Sequence, residues 1–496
     1  MSFTVLSDDN IRDLLENLTR EEAGSLQQTL GNALHEYSTA VQQAAAASLY
    51  QQPERTSTYS DRTGATTLFI PSNSPVGHAM KVVTIISPYP DSPLPPVKPS
   101  SSLTLYSPEG SAVGFLQAQT LTAFRTALSS SSLLMKRTIV RTLTIFGAGL
   151  QAYWHIRLAL MLRGDTIRKV NIINRTFSEN AKDILKRFYA VPSEVKEREG
   201  WGEGRVEFSM ITPGYGEYQR LQKKQIRSAD VIYCCTPSTE ELFDASILTN
   251  HEGRKKGRLI VAVGSYTKNM RELPKDILLQ ATRPHKQGHF HYHKHATEGG
   301  VIVVDSLNGV LDDAGEIIDA GLEPKQLVEL GELIMIKRFG KVNGVPSHSN
   351  SPSSAATGSV SESIEKLDLT SSPSTAMSTV FGTESAGDDS ASSKRSSSHS
   401  PSRAKRGGST GEIQLDSPSG FRFPSLRHHK RTVSEQSSWE EKQLQKHEDH
   451  LTNWFTSGNV IYKSVGFGLM DLVVGFEVVK LANAKGVGSQ IENFSP

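Results

Sequence analysis

The stretch Arg141-Thr142-Leu143-Thr144-Ile145-Phe146-Gly147-Ala148-Gly149-Leu150-Gln151-Ala152 constrains this chain more than any other, because an apolar run passes straight into a Gly-x-Gly-x-x-Ala turn. Few folds ask for that combination. A buried strand that reverses at once into a helix needs a first glycine for the tight turn and a final small residue for close packing. The middle glycine leaves the backbone open to a pyrophosphate. The helix that follows begins with N–H groups that have no intrahelical acceptor, which favours an anion there. Glycine turns of this kind also occur without a ligand, so the flanking pattern decides. Gln151 to Leu162 (QAYWHIRLALML) carries an apolar face at helical spacing. Val170-Asn171-Ile172-Ile173 reads as the second strand and ends at Asn174-Arg175-Thr176, where a ribose-reading position is expected. The expectation is a Rossmann unit with dinucleotide phosphates over Gly147, Ala148, Gly149, Leu150, Gln151 and Ala152.

Further apolar strands follow at Val231 to Pro237 (VIYCCTP), Leu259 to Ser265 (LIVAVGS) and Val301 to Asp305 (VIVVD). Open α/β sheets bind ligands at the carboxyl ends of their strands, so Thr236, Pro237, Gly264 and Ser265 are expected to border the cofactor. Two stretches inside this region, Val191 to Arg227 and the histidine-rich Arg283 to Gly300, read as insertions. Before the glycine turn, residues 1 to about 50 read as helical, with Ser7 capping a helix at Asp8 and Asp9. Thr66 to Ile70 and Met80 to Ile86 read as strands, and Leu103 to Tyr106 pairs with Ala112 to Ala118 across Ser107-Pro108-Glu109-Gly110. Leu121 to Arg137 reads as a helix. Near the end, Val460 to Ala484 reads as a strand and a long helix.

Composition narrows the class. The 496 residues carry a net charge of +2, so no basic field points to nucleic acid. The opening MSFTVLSDDN lacks a basic-then-apolar leader, and the two cysteines, Cys234 and Cys235, are neighbours that suit a structural role in a reducing compartment. A cytoplasmic protein is expected. Asn459 to Val487 is interrupted by Lys463, Asp471, Glu477 and Lys480, which argues for a packed helix and against a membrane span. Residues 343–438 are dominated by serine with few large apolar groups, and such a stretch cannot offset the entropy of ordering; it is expected to be disordered. Basic clusters beside its serines, as at Lys394-Arg395-Ser396, suit phosphorylation by a kinase or docking of an adaptor, and equally a solvated linker. His289, His291, His293 and His295 alternate, yet no carboxylate or cysteine joins them at ligand spacing, so a polar loop and no metal site is expected.

Seven short motifs in order then resemble the ornithine cyclodeaminase and mu-crystallin family: Gln52-Pro53-Glu54-Arg55, Met80-Lys81-Val82-Val83-Thr84, Leu121-Thr122-Ala123-Phe124-Arg125-Thr126-Ala127, Gly147 to Ala152, Val263-Gly264-Ser265 with Arg271-Glu272-Leu273, Val304-Asp305-Ser306, and Lys463-Ser464-Val465-Gly466 with Asp471. The resemblance implies an α/β protein: a Rossmann dinucleotide-binding domain inserted in an α+β substrate and dimerisation domain, with the long disordered insert. The implied boundaries are 1–136 for the first part of the substrate domain, 137–320 for the Rossmann domain, 321–342 for a return, 343–438 for the insert and 439–496 for the last part.

The same resemblance implies that Arg55 and Arg125 hold a substrate carboxylate and that Lys81 is the active-site lysine, either a general acid toward an imine nitrogen or a fixed positive charge. It adds Ser464, Val465 and Gly466 to the cofactor contacts. Family members cyclise ornithine with loss of ammonia, reduce cyclic ketimines with a nicotinamide cofactor, or bind small ligands with little turnover. Tyr266 follows Gly264-Ser265 where the cyclodeaminase branch carries its aspartate, and Leu68, three places before Pro71, stands where that branch has an acid. Both departures point to the mu-crystallin, ketimine reductase branch. An arginine at the ribose position accommodates a 2′-phosphate, so Arg175, with Asn174 and Thr176, predicts NADP(H) over NAD(H). The expected protein is a homodimeric oxidoreductase acting on C=N bonds of a small imino or amino acid, with an ammonia-lyase or a non-catalytic NADP-dependent binding protein as alternatives.

Overall fold

A computed structural model describes residues 2–42, 49–86, 100–283, 299–333 and 454–494. The 343–438 segment, the alternating histidines and the Pro88 to Pro99 stretch lie outside the described residues. The chain opens with β1 (Phe3–Leu6), α1 (Asp8–Glu16), α2 (Arg20–Gln42), β2 (Thr56–Ser60), β3 (Ala65–Ser74), β4 (Gly77–Ile86), β5 (Ser100–Tyr106), β6 (Ala112–Gln117) and α3 (Gln119–Leu134). It continues with β7 (Thr142–Phe146), α4 (Leu150–Arg163), β8 (Lys169–Ile173), α5 (Glu179–Ala190), α6 (Ser193–Arg198), β9 (Glu207–Ile211), α7 (Tyr218–Ser228), β10 (Val231–Cys234), α8 (Ser246–Thr249), β11 (Leu259–Ala262) and α9 (Lys275–Ala281). Last come β12 (Val301–Val304), α10 (Leu307–Asp313), α11 (Gly315–Ala320), β13 (Leu327–Glu329), β14 (Val460–Lys463), α12 (Gly468–Lys485) and β15 (Ser489–Ile491).

These strands form two sheets of different character. The first runs β15-β1-β6-β5-β4-β3-β2 and is antiparallel except where β1 meets β6. Burial along β5 and β6 favours alternate residues, as a sheet with one covered face requires. Leu103, Leu105 and Leu116 point inward to α3 and α12, whereas Thr104 and Phe115 point outward. The second sheet runs β13-β12-β14-β11-β10-β7-β8-β9, and every neighbouring pair is parallel. Strands β10, β11, β12 and β14 are buried at every position, because apolar cores cover both faces of this sheet. The order β9-β8-β7-β10-β11 reverses direction between β7 and β10. That switch point lies where the glycine turn leaves β7, as the Rossmann reading expects.

Local chemistry explains several boundaries. Ser7 accepts from the Asn10 amide and Asn10 reaches back to Ser7, which closes a capping box and starts α1. Gly486 ends α12 in the left-handed region, φ 65°. Helix α4 is buried all round from Ala152 to Leu162, since the sheet covers one side and α3 the other, where Phe124 meets Trp154 edge to face at 5.3 Å. Its apolar face is therefore wider than a surface helix needs.

The structure departs from the sequence reading in three places. The opening residues are not all helical: Phe3–Leu6 is a strand whose partners, β6 and β15, lie far along the chain. Val191 to Arg227 is not a free insertion. It supplies the edge strand β9, and its Glu199 binds the buried Arg157 of α4 through two 2.7 Å hydrogen bonds while accepting a third from Trp201. Strands β13 and β14 belong to the parallel sheet although the expected Rossmann range ended at 320; β14 lies between β11 and β12. Each difference comes from a strand or charge whose partner is remote in sequence.

Candidate functional site

The glycine turn forms one wall of the candidate site. Gly147 has φ 104°, and a Cβ there would sit 3.0 Å from both the Cys235 carbonyl oxygen and Thr236 Cγ2. Only glycine fits that approach. Gly149 is the N-cap of α4, no side chain caps it, and the space a Cβ would enter is open. The first amides of α4 thus face a gap that a phosphate fills well. Leu150, Gln151 and Ala152 form the first turn of α4.

The strand ends beside this turn carry the other expected cofactor positions. Asn174, just past β8, donates its side-chain amide to the Thr176 carbonyl at 2.7 Å, and Arg175 between them is exposed. The Asn174 amide also bonds the Ile211 carbonyl of β9. Beyond β9, Pro213, Tyr215, Tyr218 and Leu242 border a cavity of about 870 Å³. Thr236, Gly264 and Ser265 follow β10 and β11. Ser464 and Gly466 follow β14 and both donate to Asp305 Oδ2 at 2.7 Å, which fixes the Ser464-Val465-Gly466 loop against the end of β12. Burial raises the Asp305 pKa, partly offset by these hydrogen bonds.

The expected substrate residues Lys81 and Arg125 meet, although β4 and α3 carry them. Lys81 points inward from β4, and its Nζ donates at 2.8 Å to Thr122 Oγ1 and at 2.8 Å to Asp471 Oδ1. Arg125 Nε donates to that same Asp471 oxygen at 3.2 Å. All three groups are buried. Arg125 Nη1 lies 3.4 Å from Met470 Sδ, and both Nη atoms lie against Gly466, where a Cβ would come within 2.6 Å. Gly466 thus connects the two halves of the site: it belongs to the loop at the sheet ends and its backbone supports the guanidinium. With Nε bound to Asp471, the Nη pair meets no carboxylate among the described residues and has the fork geometry that holds one bidentately.

The electrostatics follow from burial and pairing. Burial lowers the Lys81 pKa to about 8; Asp471 opposes the shift and Arg125 adds to it. Burial alone would raise Asp471, yet Arg125 and Lys81 together hold its carboxyl below the ordinary value. Such a lysine is protonated at neutral pH but gives up its proton more readily than a surface lysine. Arg55 is placed differently: its guanidinium, partly exposed, pairs with Asp313 of α10 at 2.5 Å.

Several residues that sequence reasoning left without a role hold this arrangement. Asp471 anchors both cations; the available signal was a single acid in the apolar run Leu469-Met470-Asp471-Leu472-Val473-Val474, which only a buried partner explains. Lys463 binds Ser265 through its carbonyl at 2.6 Å and its hydroxyl at 2.5 Å, and Glu316 at 3.1 Å. Tyr266, next to Ser265, is partly buried. Cys234 and Cys235 are both free and buried, and burial raises both thiols well above their ordinary value.

No model of a known protein family matches the chain. Individual proteins do. An uncharacterized protein of Saccharomyces cerevisiae is 26% identical over 255 residues, 47% of this chain and 63% of that protein. An uncharacterized cyclodeaminase of Dictyostelium discoideum is 32% identical over 136 residues, 27% of this chain and 34% of that protein. A Delta(1)-pyrroline-2-carboxylate reductase of Bacillus cereus is 26% identical over 241 residues, 47% of this chain and 59% of that protein. The chain therefore matches less than two thirds of each relative's length. Among solved structures, the Thermococcus litoralis Delta(1)-pyrroline-2-carboxylate reductase in complex with NADH and L-proline superposes with a TM-score of 0.55 at 15% identity, covering 98% of this chain and 100% of that one. The iminosuccinate reductase of Paracoccus denitrificans in complex with NAD+ gives 0.53 at 16% identity, covering 99% and 100%. At these identities the structural matches establish a shared fold.

The relatives and structural neighbours of this chain include proteins of the ornithine cyclodeaminase and mu-crystallin type, reductases of C=N bonds and cyclodeaminases among them.

Proposed function

We propose that this chain is an NADPH-dependent reductase of cyclic imines that bear a carboxylate. The observation that carries the reading is the buried Lys81–Asp471–Arg125 cluster resting on Gly466, beside the crevice where parallel strands and the glycine turn converge. The crevice fits a dinucleotide: Gly147 permits the close turn, Gly149 leaves open space, and the α4 amides are uncapped by side chains. Gly147 to Ala152 would hold the pyrophosphate, Asn174, Arg175 and Thr176 the ribose, and Thr236, Gly264, Ser265, Ser464, Val465 and Gly466 the remainder. The dihydronicotinamide, when bound, supplies the hydride.

The protein's own residues supply orientation and the proton. Arg125 presents its Nη fork to the substrate carboxylate, with Asp471 fixing the guanidinium from behind. Fixing a carboxylate in this way orients the imine carbon for attack, a large part of the barrier in a two-substrate reaction. Lys81, its pKa near 8, donates a proton to the imine nitrogen as hydride reaches carbon, and the neutral amine regains its proton from solvent. Arg55 is a second carboxylate contact once it exchanges Asp313 for substrate. The exposed Arg175, in place of an acid, favours the 2′-phosphate of NADPH.

The reductase branch is favoured over the cyclodeaminase branch by Tyr266. The cyclodeaminase reading rests on the 32% identity to the Dictyostelium discoideum protein. A homodimer accords with the outward face of the antiparallel sheet, where Phe69, Met80 and Val82 are partly exposed and Phe115 is 38% exposed, and one archaeal neighbour of this fold is described as an alanine dehydrogenase dimer. Among the described residues no helix is long and apolar enough to cross a membrane; a cytoplasmic site of action is part of the proposal. Purified protein incubated with NADPH and Δ1-pyrroline-2-carboxylate should lose absorbance at the reduced-nicotinamide band. NADPH binding without turnover on any cyclic imino acid would instead mark a binding protein, and ammonia release from ornithine with NAD a cyclodeaminase.

A further inference from the structure

We infer that Glu272 is a positioning residue that builds the cofactor face of the parallel sheet. The inference rests on the dinucleotide reading above. Glu272 lies between β11 and α9 and is fully buried. Its Oε1 accepts from the Thr236 amide at 2.7 Å and the Thr236 hydroxyl at 3.1 Å; its Oε2 accepts from the Gly264 amide at 2.7 Å and the Ser265 amide at 3.1 Å. Three of these donors are backbone N–H groups just beyond β10 and β11. The ladder between the two strands ends with the Val263 amide on the Cys234 carbonyl. Past that point the carboxylate substitutes for the ladder and holds the two ends apart at a fixed spacing.

The neighbouring glycines are shaped around this clamp. A Cβ on Gly264 would lie 2.6 Å from Glu272 Oε1 and 2.2 Å from the Thr236 amide, so a side chain at 264 would expel the carboxylate. Thr236, held at its amide and hydroxyl, in turn presents Cγ2 to Gly147, where a Cβ would come within 3.0 Å. The clamp therefore sets the wall against which the glycine turn closes. Ser265, its third contact, is also bound to Lys463 and, through its hydroxyl, to Glu316 at 2.6 Å, so the β11 end is fixed from two sides.

The chemistry requires a carboxylate and not merely a polar group. All four partners donate, and an ionised carboxylate is acceptor-only. Burial raises the Glu272 pKa to about 7, opposed by Lys463 and by the Thr236 amide. A buried acid is costly to keep, and here the cost is offset by four donors that an apolar residue would leave unpaired.

Glu272→Gln tests this, because the isosteric amide directs an NH2 at backbone donors. Protein fluorescence and reduced-nicotinamide fluorescence, titrated with NADPH, give cofactor affinity, and turnover at saturating NADPH gives kcat and the KM for Δ1-pyrroline-2-carboxylate. The expected result is NADPH affinity weakened on the order of tenfold or more, with the imine KM little changed, as misplacement of a supporting group predicts. Glu272→Asp, which stays acceptor-only, should fall between wild type and the amide and serves as the readout if the amide variant does not fold. A variant of either kind that melts earlier yet binds NADPH as tightly as wild type overturns the inference and leaves the reductase reading standing. Wild-type protein that binds neither NADPH nor NADH removes the reductase reading itself, and the inference with it.

Discussion

Replacing Asp471 by asparagine removes the one charge that Lys81 and Arg125 share. Two unit charges about 3 Å apart attract by about 5.5 kcal/mol at an effective dielectric of about 20. If about half of this survives rearrangement of the asparagine dipole, the loss is about 2.7 kcal/mol, or about two pKa units. The sign is unambiguous. Burial has already lowered Lys81 from 10.5 to about 8, Asp471 is the influence that opposes the shift, and Arg125 remains to repel the proton. Lys81 in the variant should therefore lose its proton near pH 6, about two units below the wild-type value. The assay is the pH profile of kcat/KM for imine reduction, whose alkaline limb reports the acid of the free enzyme. The wild-type limb should lie near 8 and the variant limb near 6, so that activity at pH 7.5 collapses while activity at pH 5.5 is largely kept. Breaking a buried ion cluster should also cost about 3–5 kcal/mol of stability, which is measured separately by denaturant unfolding. A variant that folds and keeps its limb near 8 would refute Lys81 as the proton donor.

Arg125→Lys keeps the charge but loses the fork, and should raise the KM for the carboxylate substrate about tenfold or more with NADPH affinity unchanged; an unaltered KM would remove Arg125 from substrate binding. Arg175→Ala should lower the ratio of NADPH to NADH efficiency about tenfold or more, read from kcat/KM with each cofactor, and equal use of both by the wild type would end the NADPH reading. Val82→Glu places a charge on the outward face of the antiparallel sheet and should shift the proposed dimer to monomer in analytical ultracentrifugation; unchanged sedimentation would overturn that face as the interface. Deleting 343–438 should leave imine reduction intact while altering phosphorylation or protein partners in pull-downs, and a deletion that alters neither phosphorylation nor partners would refute a kinase or adaptor role.

Much of the fold was legible because its signals are local. Gly147 and Gly149 after an apolar run specify a turn whose φ of 104° at Gly147 only glycine adopts readily. Ser7 before Asp8-Asp9 specifies a helix start, and Ser107-Pro108-Glu109-Gly110 specifies the hairpin joining β5 and β6. Lys81 and Arg125 were named through the resemblance that their short motifs carry, not by periodicity or spacing. What the sequence could not supply was that they share a partner: Asp471 is 390 residues from Lys81 and 346 from Arg125, and although it belongs to one of the motifs, nothing in the chain says which cations it binds. The same distance hid β14, which reads as a single strand after a long serine-rich stretch but pairs between β11 and β12, and β1, which depends on β6 and β15. By itself the sequence determined many of the helices, strands and glycine turns, because periodicity, caps and backbone freedom act over a few residues, but not β1 or β9, whose partners are remote. Only the tertiary structure decided that Asp471 binds both cations, that Gly466 supports Arg125 and that Glu272 holds two strand ends. Those contacts exist where sheet and helix packing bring remote residues into a dry interior, and there a charge is kept only with its partners in place.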